Sequence, residues 1–137
     1  MAEQNPKFEG KCGEIFKLHN MLEEAEIQHE FWNESYDFPF SPYSRVKYHI
    51  YYPSKEDLGR CLAATPELGC SVIEGEGTYG YEKDLLEIMG LLTPEESEVD
   101  VVAGSLSADD IFERIRKVEE ARRDGFRHVQ PSDESED

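Results

Sequence analysis

Residues 70–92 read CSVIEGEGTYGYEKDLLEIMGLL, and the fold turns on how that stretch is divided. Residues 70–73 are a short apolar run entered from a turn, the pattern of a buried strand. Residues 74–81 are glycine-rich and acidic, the composition of a loop. From about residue 82, Leu85, Ile88, Met89 and Leu92 recur at three- and four-residue intervals. That spacing predicts an amphipathic helix over 82–89, with Gly90 as its stop. The rest of the chain reads as material packed against this strand–loop–helix unit.

Upstream, Ile15, Leu18, Leu22 and Ala25 fall at helical spacing and predict a helix over 13–25. Residues 27–31 alternate apolar and polar, as a strand does, and 33–44 hold two prolines and several turn formers, as a connection does. RVKYHIYY, 45–52, is the clearest strand: Val46, Tyr48, Ile50 and Tyr52 share one face by the period of two, and Pro53 ends it. Ser54 to Asp57 has the form of a capping box opening a short helix to about residue 64. A turn at 65–69 leads back to the strand at 70.

Downstream, Thr93-Pro94-Glu95-Glu96 supplies cap, first-turn proline and acids in the order that a helix start wants. Residues 99–104 look extended. Ser107 opens a last helix with Ile111, Phe112, Ile115 and Val118 inward, which Gly125 would stop. The order α-β-β-(α)-β-α-α predicts an α+β domain: a small antiparallel sheet of about three strands with helices on one face. The domain spans 13–127, between a flexible lead-in at 1–12 and a disordered acidic tail at 128–137.

Charge narrows the partners. The 137 residues carry 31 acids against 14 bases, a net −17. Residues 1–113 hold 24 acids and 8 bases, whereas 114–127 hold 6 bases and 3 acids. Direct binding to nucleic acid or to an anionic membrane needs a basic footprint, so neither is expected. Attraction to a basic protein surface is expected, although the same charge also serves solubility alone. The three cysteines (Cys12, Cys61, Cys70) show no CxxC spacing, and no apolar leader or spanning run occurs. These features suit a cytoplasmic protein with unpaired thiols.

Gly75 to Gly80 spell GxGxxG between a strand and a predicted helix, where a dinucleotide fingerprint would sit. Glu74 and Glu76 would set negative charge beside a pyrophosphate, and no second βα unit follows. The glycines therefore read as a turn needing positive φ. Glu74, Glu76, Glu82 and Asp84 cluster, and with Glu87 they form the candidate partner-binding face. They lack the spacing of a Ca²⁺ loop and read as solvated surface rather than as a metal site. His19, His29, His49 and His128 are scattered without a zinc spacing, and no nucleophile–base constellation appears. No catalytic residue, metal or cofactor is assigned, and the reading leans away from an enzyme.

The aromatic set Tyr36, Phe38, Phe40, Tyr43, Tyr48, Tyr51 and Tyr52 exceeds what core packing alone demands. A protein interface or a shallow pocket that stacks a base would use the remainder. For such a small-molecule or nucleotide pocket the candidates are Arg45, Lys47, Tyr48, Tyr51, Gly77 and Tyr79. If RVKYHIYY lay at a sheet edge, its backbone would pair with a second copy in a symmetric homodimer; Lys47 and Pro53 would instead be edge protection. The sequence leaves both open.

FKLHNMLEEAEIQHEF, then the tyrosine-rich strand, CSVIEG…YGYEKDLLEIMGLLTPEE and SADDIFERI together resemble small acidic proteins predicted from phages and prophages of gut-type Firmicutes. The likeness covers most of residues 14–118, apart from 53–68. That group has no settled activity, so no residue role is carried over. The resemblance implies an accessory protein acting on a host protein, defence systems included. The expectation is a non-enzymatic protein whose carboxylate face binds a basic host protein, with nucleic-acid mimicry as its refinement. The alternative is a nucleotide-binding module.

Overall fold

A computed structural model of the protein describes residues 3–8, 10, 12–33, 46–58, 68–75 and 81–129. Six strands form one sheet: β1 (Glu3–Gln4), β2 (Glu30–Asn33), β3 (Val46–Tyr52), β4 (Cys70–Gly75), β5 (Leu86–Met89) and β6 (Val102–Leu106). They lie side by side in sequence order, and every neighbouring pair is antiparallel. The helices are α1 (Gly13–Glu24), α2 (Pro94–Val99) and α3 (Ala108–Val129). The α+β class and the antiparallel pairing are as expected, but six strands stand where about three were foreseen.

Alternation along the strands builds the core. Phe31, Ile50, Val72 and Ile88 are paired across β2 to β5 and are fully buried, with Ala103 of β6 continuing the row. On the same face Tyr48, Tyr52, Cys70 and Leu86 are also fully buried. Ile15, Leu18 and Leu22 of α1 and Ala108, Ile111 and Ile115 of α3 join them in one cluster. Each such aliphatic side chain contributes roughly 1.5–3 kcal/mol. The Tyr52 hydroxyl crosses to α3 and donates to Glu119 Oε2 at 2.6 Å. Cys12 and Cys70 are buried thiols outside any disulfide, and burial pushes the Cys70 thiol up to about 12, so it stays inert.

The predicted helix over 82–89 is not present. Tyr81–Lys83 is a single 3₁₀ turn, Asp84 has φ 55, and Leu86–Met89 is a strand. Leu85, Leu86, Ile88 and Met89 around Glu87 suit either structure, and pairing with β4 decides for strand. Nor is RVKYHIYY an edge. β3 is flanked by β2 and β4, so its backbone has no free side for a second copy.

Smaller shifts have local causes. β2 starts at Glu30 rather than at 27 because 25–27 complete a helix cap: Glu26 N–H donates to Glu23 O at 3.0 Å and Ile27 N–H to Leu22 O at 2.9 Å. Glu26 takes the left-handed conformation, φ 58. This is a Schellman ending, with Ile27 buried against the core near Leu22. α3 passes through Gly125 to Val129, because a mid-helix glycine costs only about 1 kcal/mol. Within the expected lead-in, Glu3 and Gln4 pair with Asn33 and Trp32 of β2. The Ser54 cap forms, its Oγ accepting from Asp57 N–H at 3.0 Å, and opens a helical turn at 55–58. The remainder of that helix, Cys61, the aromatic segment at 34–45 and the tail from 130 lie outside the described residues. No helix among the described residues is long and apolar enough to cross a membrane.

Candidate functional site

α1 begins without a cap of its own. Its N-cap residue, Cys12, has φ 56 and makes no side-chain cap hydrogen bond. Asp84, seventy residues away, does that work: its Oδ1 accepts from Glu14 N–H at 3.2 Å. Glu14 in turn accepts from Ala108 N–H at 2.7 Å and caps α3. Negative groups at helix starts are favoured by the macrodipole, so this acid relay orients both helices on the sheet.

Glu74 lies behind the relay. As an even-numbered residue of β4 it faces the helices, and it is fully buried. Among the described residues neither carboxylate oxygen meets the geometry of a hydrogen bond, although Asp84 and the Ile15 amide are near enough to shift its proton affinity. Burial first, then the Asp84 carboxylate, pushes its pKa up to about 9. Glu74 is therefore protonated at neutral pH and carries no charge to present.

The five candidate acids do not make one exposed face. Glu74 is internal, and Asp84, though exposed, is engaged at the α1 start. Glu82 is exposed on the 3₁₀ turn. Glu87 is buried on the other side of the sheet, opposite Ile73. A helix would have grouped Asp84 and Glu87; strand alternation separates Glu87 from the helix-covered side. Glu76 lies outside the described residues.

The alternative ligand set is divided in the same way. Tyr48 is fully buried beneath Phe16, with ring centroids 4.9 Å apart. Tyr51 belongs to the opposite face and stacks on His49 at 3.9 Å. The two tyrosines therefore do not line one pocket. Lys47 Nζ is 5.5 Å from the Tyr48 ring centroid. Arg45, Gly77 and Tyr79 are outside the described residues.

Two arrangements emerge that the sequence reading did not find. The first is an apolar, acid-rimmed edge. Val99 is 86% exposed and Val101 71% exposed, beside the outer strand β6, with Glu95, Glu98 and Asp100 exposed around them. The second is a group of His19, Glu23 and His29, whose ligand atoms all lie within 4.8 Å of one another. Its sequence signal was the i, i+4 pair His19/Glu23 on a predicted helix. Burial, and then the neighbouring His29, lower the His19 pKa from its ordinary value. Compared with protein-family models, curated proteins and solved structures, the chain matches none.

Proposed function

We propose that this protein is a binding module that takes up an extended basic segment of another protein along the β6 edge of its sheet. The reading rests on one observation. β6, the outer strand of the described sheet, carries no charged side chain and no proline, and it follows directly on the exposed Val99 and Val101. Edge strands are ordinarily blunted by lysines, prolines, inward charges or bulges; VAGSL has none of the first three, and its register shift against β5 lies past Ala103, before the Leu106 pairing. The regular part of such an edge offers backbone donors and acceptors to an added strand.

Charge selects the occupant. From Asp84 to Glu113 the chain holds nine acids and no lysine or arginine. Of these, Glu96 is neutralised by Arg114, which leaves Glu95, Glu98 and Asp100 facing solvent around the valines. A segment alternating basic and apolar residues would pair its cations with the acids and rest its apolar side chains on Val99 and Val101. Ser105, with φ 58, ends the regular edge, so pairing is confined to 102–104. The class of partner is the one that composition suggested, a basic protein; the residues that meet it are different.

The test uses the full chain and a synthetic peptide of alternating lysine and valine, with an alternating glutamate–valine peptide as control. Only the basic peptide should bind, with affinity falling as salt rises. Amide shift changes should centre on 99–104, and the triple variant Glu95→Gln/Glu98→Gln/Asp100→Asn should bind at least tenfold more weakly. Equal binding by that variant, or a shift map centred elsewhere, overturns the reading.

A further inference from the structure

α1 places His19 and Glu23 one turn apart on the same face. The Schellman ending then reverses the chain, and Ile27 turns its carbonyl to His29, whose Nδ1 lies 2.8 Å away and donates to it. In the neutral ring that bond keeps the proton on Nδ1 and leaves the Nε2 lone pair available as a ligand. Nε2 faces the helix: it is 2.8 Å from His19 Nδ1 and 3.6 Å from Glu23 Oε2. The His29 side chain is only 2% exposed, and the His19 ring is held against both His29 and Phe31. Sequence-distant contacts do not build this group; one helix turn and one cap do.

We infer that His19 Nδ1, His29 Nε2 and the Glu23 carboxylate form a binding site for a divalent transition-metal ion, zinc foremost. In a tetrahedral site with bonds of roughly 2.0–2.1 Å, ligand atoms stand about 3.3 Å apart. The two observed separations, 2.8 Å and 3.6 Å, lie on either side of that value, so small side-chain adjustments accommodate the ion. Two imidazoles and a carboxylate favour zinc, cobalt or nickel over magnesium or calcium. The Ile27 carbonyl is the outer partner that ligating histidines usually have, fixing ring and tautomer. Three protein ligands leave a position for water, and His19 also borders an open cleft of about 640 Å³ lined by Phe8, Phe16 and Asn20. Without the ion, His19 Nδ1–H donates to His29 Nε2, and the pair is an ordinary hydrogen bond.

The test is calorimetric titration of tag-free, chelator-treated full-length protein with Zn²⁺. Excess Mg²⁺ is kept present to occupy the many surface carboxylates. One equivalent should bind and raise the Tm, and Co²⁺ at the same site should show the visible bands of a four- or five-coordinate ion. Glu23 is 62% exposed, so Glu23→Gln should fold normally; it should bind Zn²⁺ at least tenfold more weakly, as should His19→Gln. Circular dichroism checks both folds. No Zn²⁺ uptake by the parent, or unchanged affinity in Glu23→Gln and His19→Gln, overturns the assignment and leaves a hydrogen-bonded histidine pair.

Discussion

Arg114 reaches from α3 to the Glu96 carboxylate of α2 and holds it through two hydrogen bonds of 2.8 Å, one to each oxygen. The same guanidinium donates to Leu91 O at 2.9 Å. Glu96 also closes the α2 capping box, accepting from Thr93 N–H at 2.9 Å while its own N–H donates to Thr93 Oγ1 at 3.1 Å. One carboxylate thus starts a helix and ties it to another. α2 buries none of its own residues, so this link is a principal hold on it.

The Arg114 hydrogen bonds, more than any other cause, hold the Glu96 carboxyl down to about 2. A depressed acid contributes stability that is present above its unfolded value, near 4.5, and is lost as pH falls through the folded value. Glu96→Gln should therefore cost roughly 1–3 kcal/mol at pH 7. Its deficit against the parent should close as pH falls from 4.5 toward 2. Arg114→Lys should cost a similar amount at pH 7, because an ammonium does not reproduce the fork. Urea unfolding across pH reads all three, and a pH-independent gap for Glu96→Gln would count against the assignment.

Glu74 predicts the opposite sign. Its folded pKa is raised to about 9 from 4.5, chiefly by burial, so its favourable contribution is complete below 4.5 and disappears as pH rises through 9. Between those limits the parent should lose up to about 1.4 kcal/mol per pH unit from this residue. Glu74→Gln keeps the shape of the neutral acid and removes the titration. The variant should match the parent near pH 4 and exceed it increasingly up to pH 9. Parallel stability curves for the two proteins would show that Glu74 is not held protonated.

The sequence made some elements plain and hid others for identifiable reasons. Alternation in 46–52 and the stripe of Ile15, Leu18 and Leu22 are complete signals, because each element buries one face against a continuous partner. Thr93-Pro94-Glu95-Glu96 is equally plain, since its capping box is made within four residues. Leu86–Met89 is not, because what makes it a strand is β4, through Val72 opposite Ile88 and Ile73 opposite Glu87. β6 is only partly legible: residues 99–104 look extended, but Ala103, Gly104 and Ser105 have little strand preference and blur where the strand begins and ends. Glu74 reads as surface from its charge alone, and only the fold reveals that it is interior. The approach of His29 to His19 and Glu23 depends on a left-handed residue at 26, where a glycine would have announced the turn and glutamate does not.

That residue carries the last prediction. At φ 58 the Glu26 Cβ crowds its own backbone, a strain of roughly 1–2 kcal/mol that glycine does not bear. Glu26 is exposed, so little packing is lost on truncation. Glycine also loosens the unfolded chain, which offsets part of the gain. Glu26→Gly should therefore stabilise the protein by roughly 0.5–1 kcal/mol, and Glu26→Val, β-branched at positive φ, should destabilise it by a similar amount or more. Both effects should appear as shifts in the urea midpoint with the slope unchanged. The reverse order would mean that position 26 is not left-handed in solution. The Ile27 carbonyl would then not be aimed at His29, and α1 would have to end by some means other than the bonds from Glu26 and Ile27 back to Glu23 and Leu22.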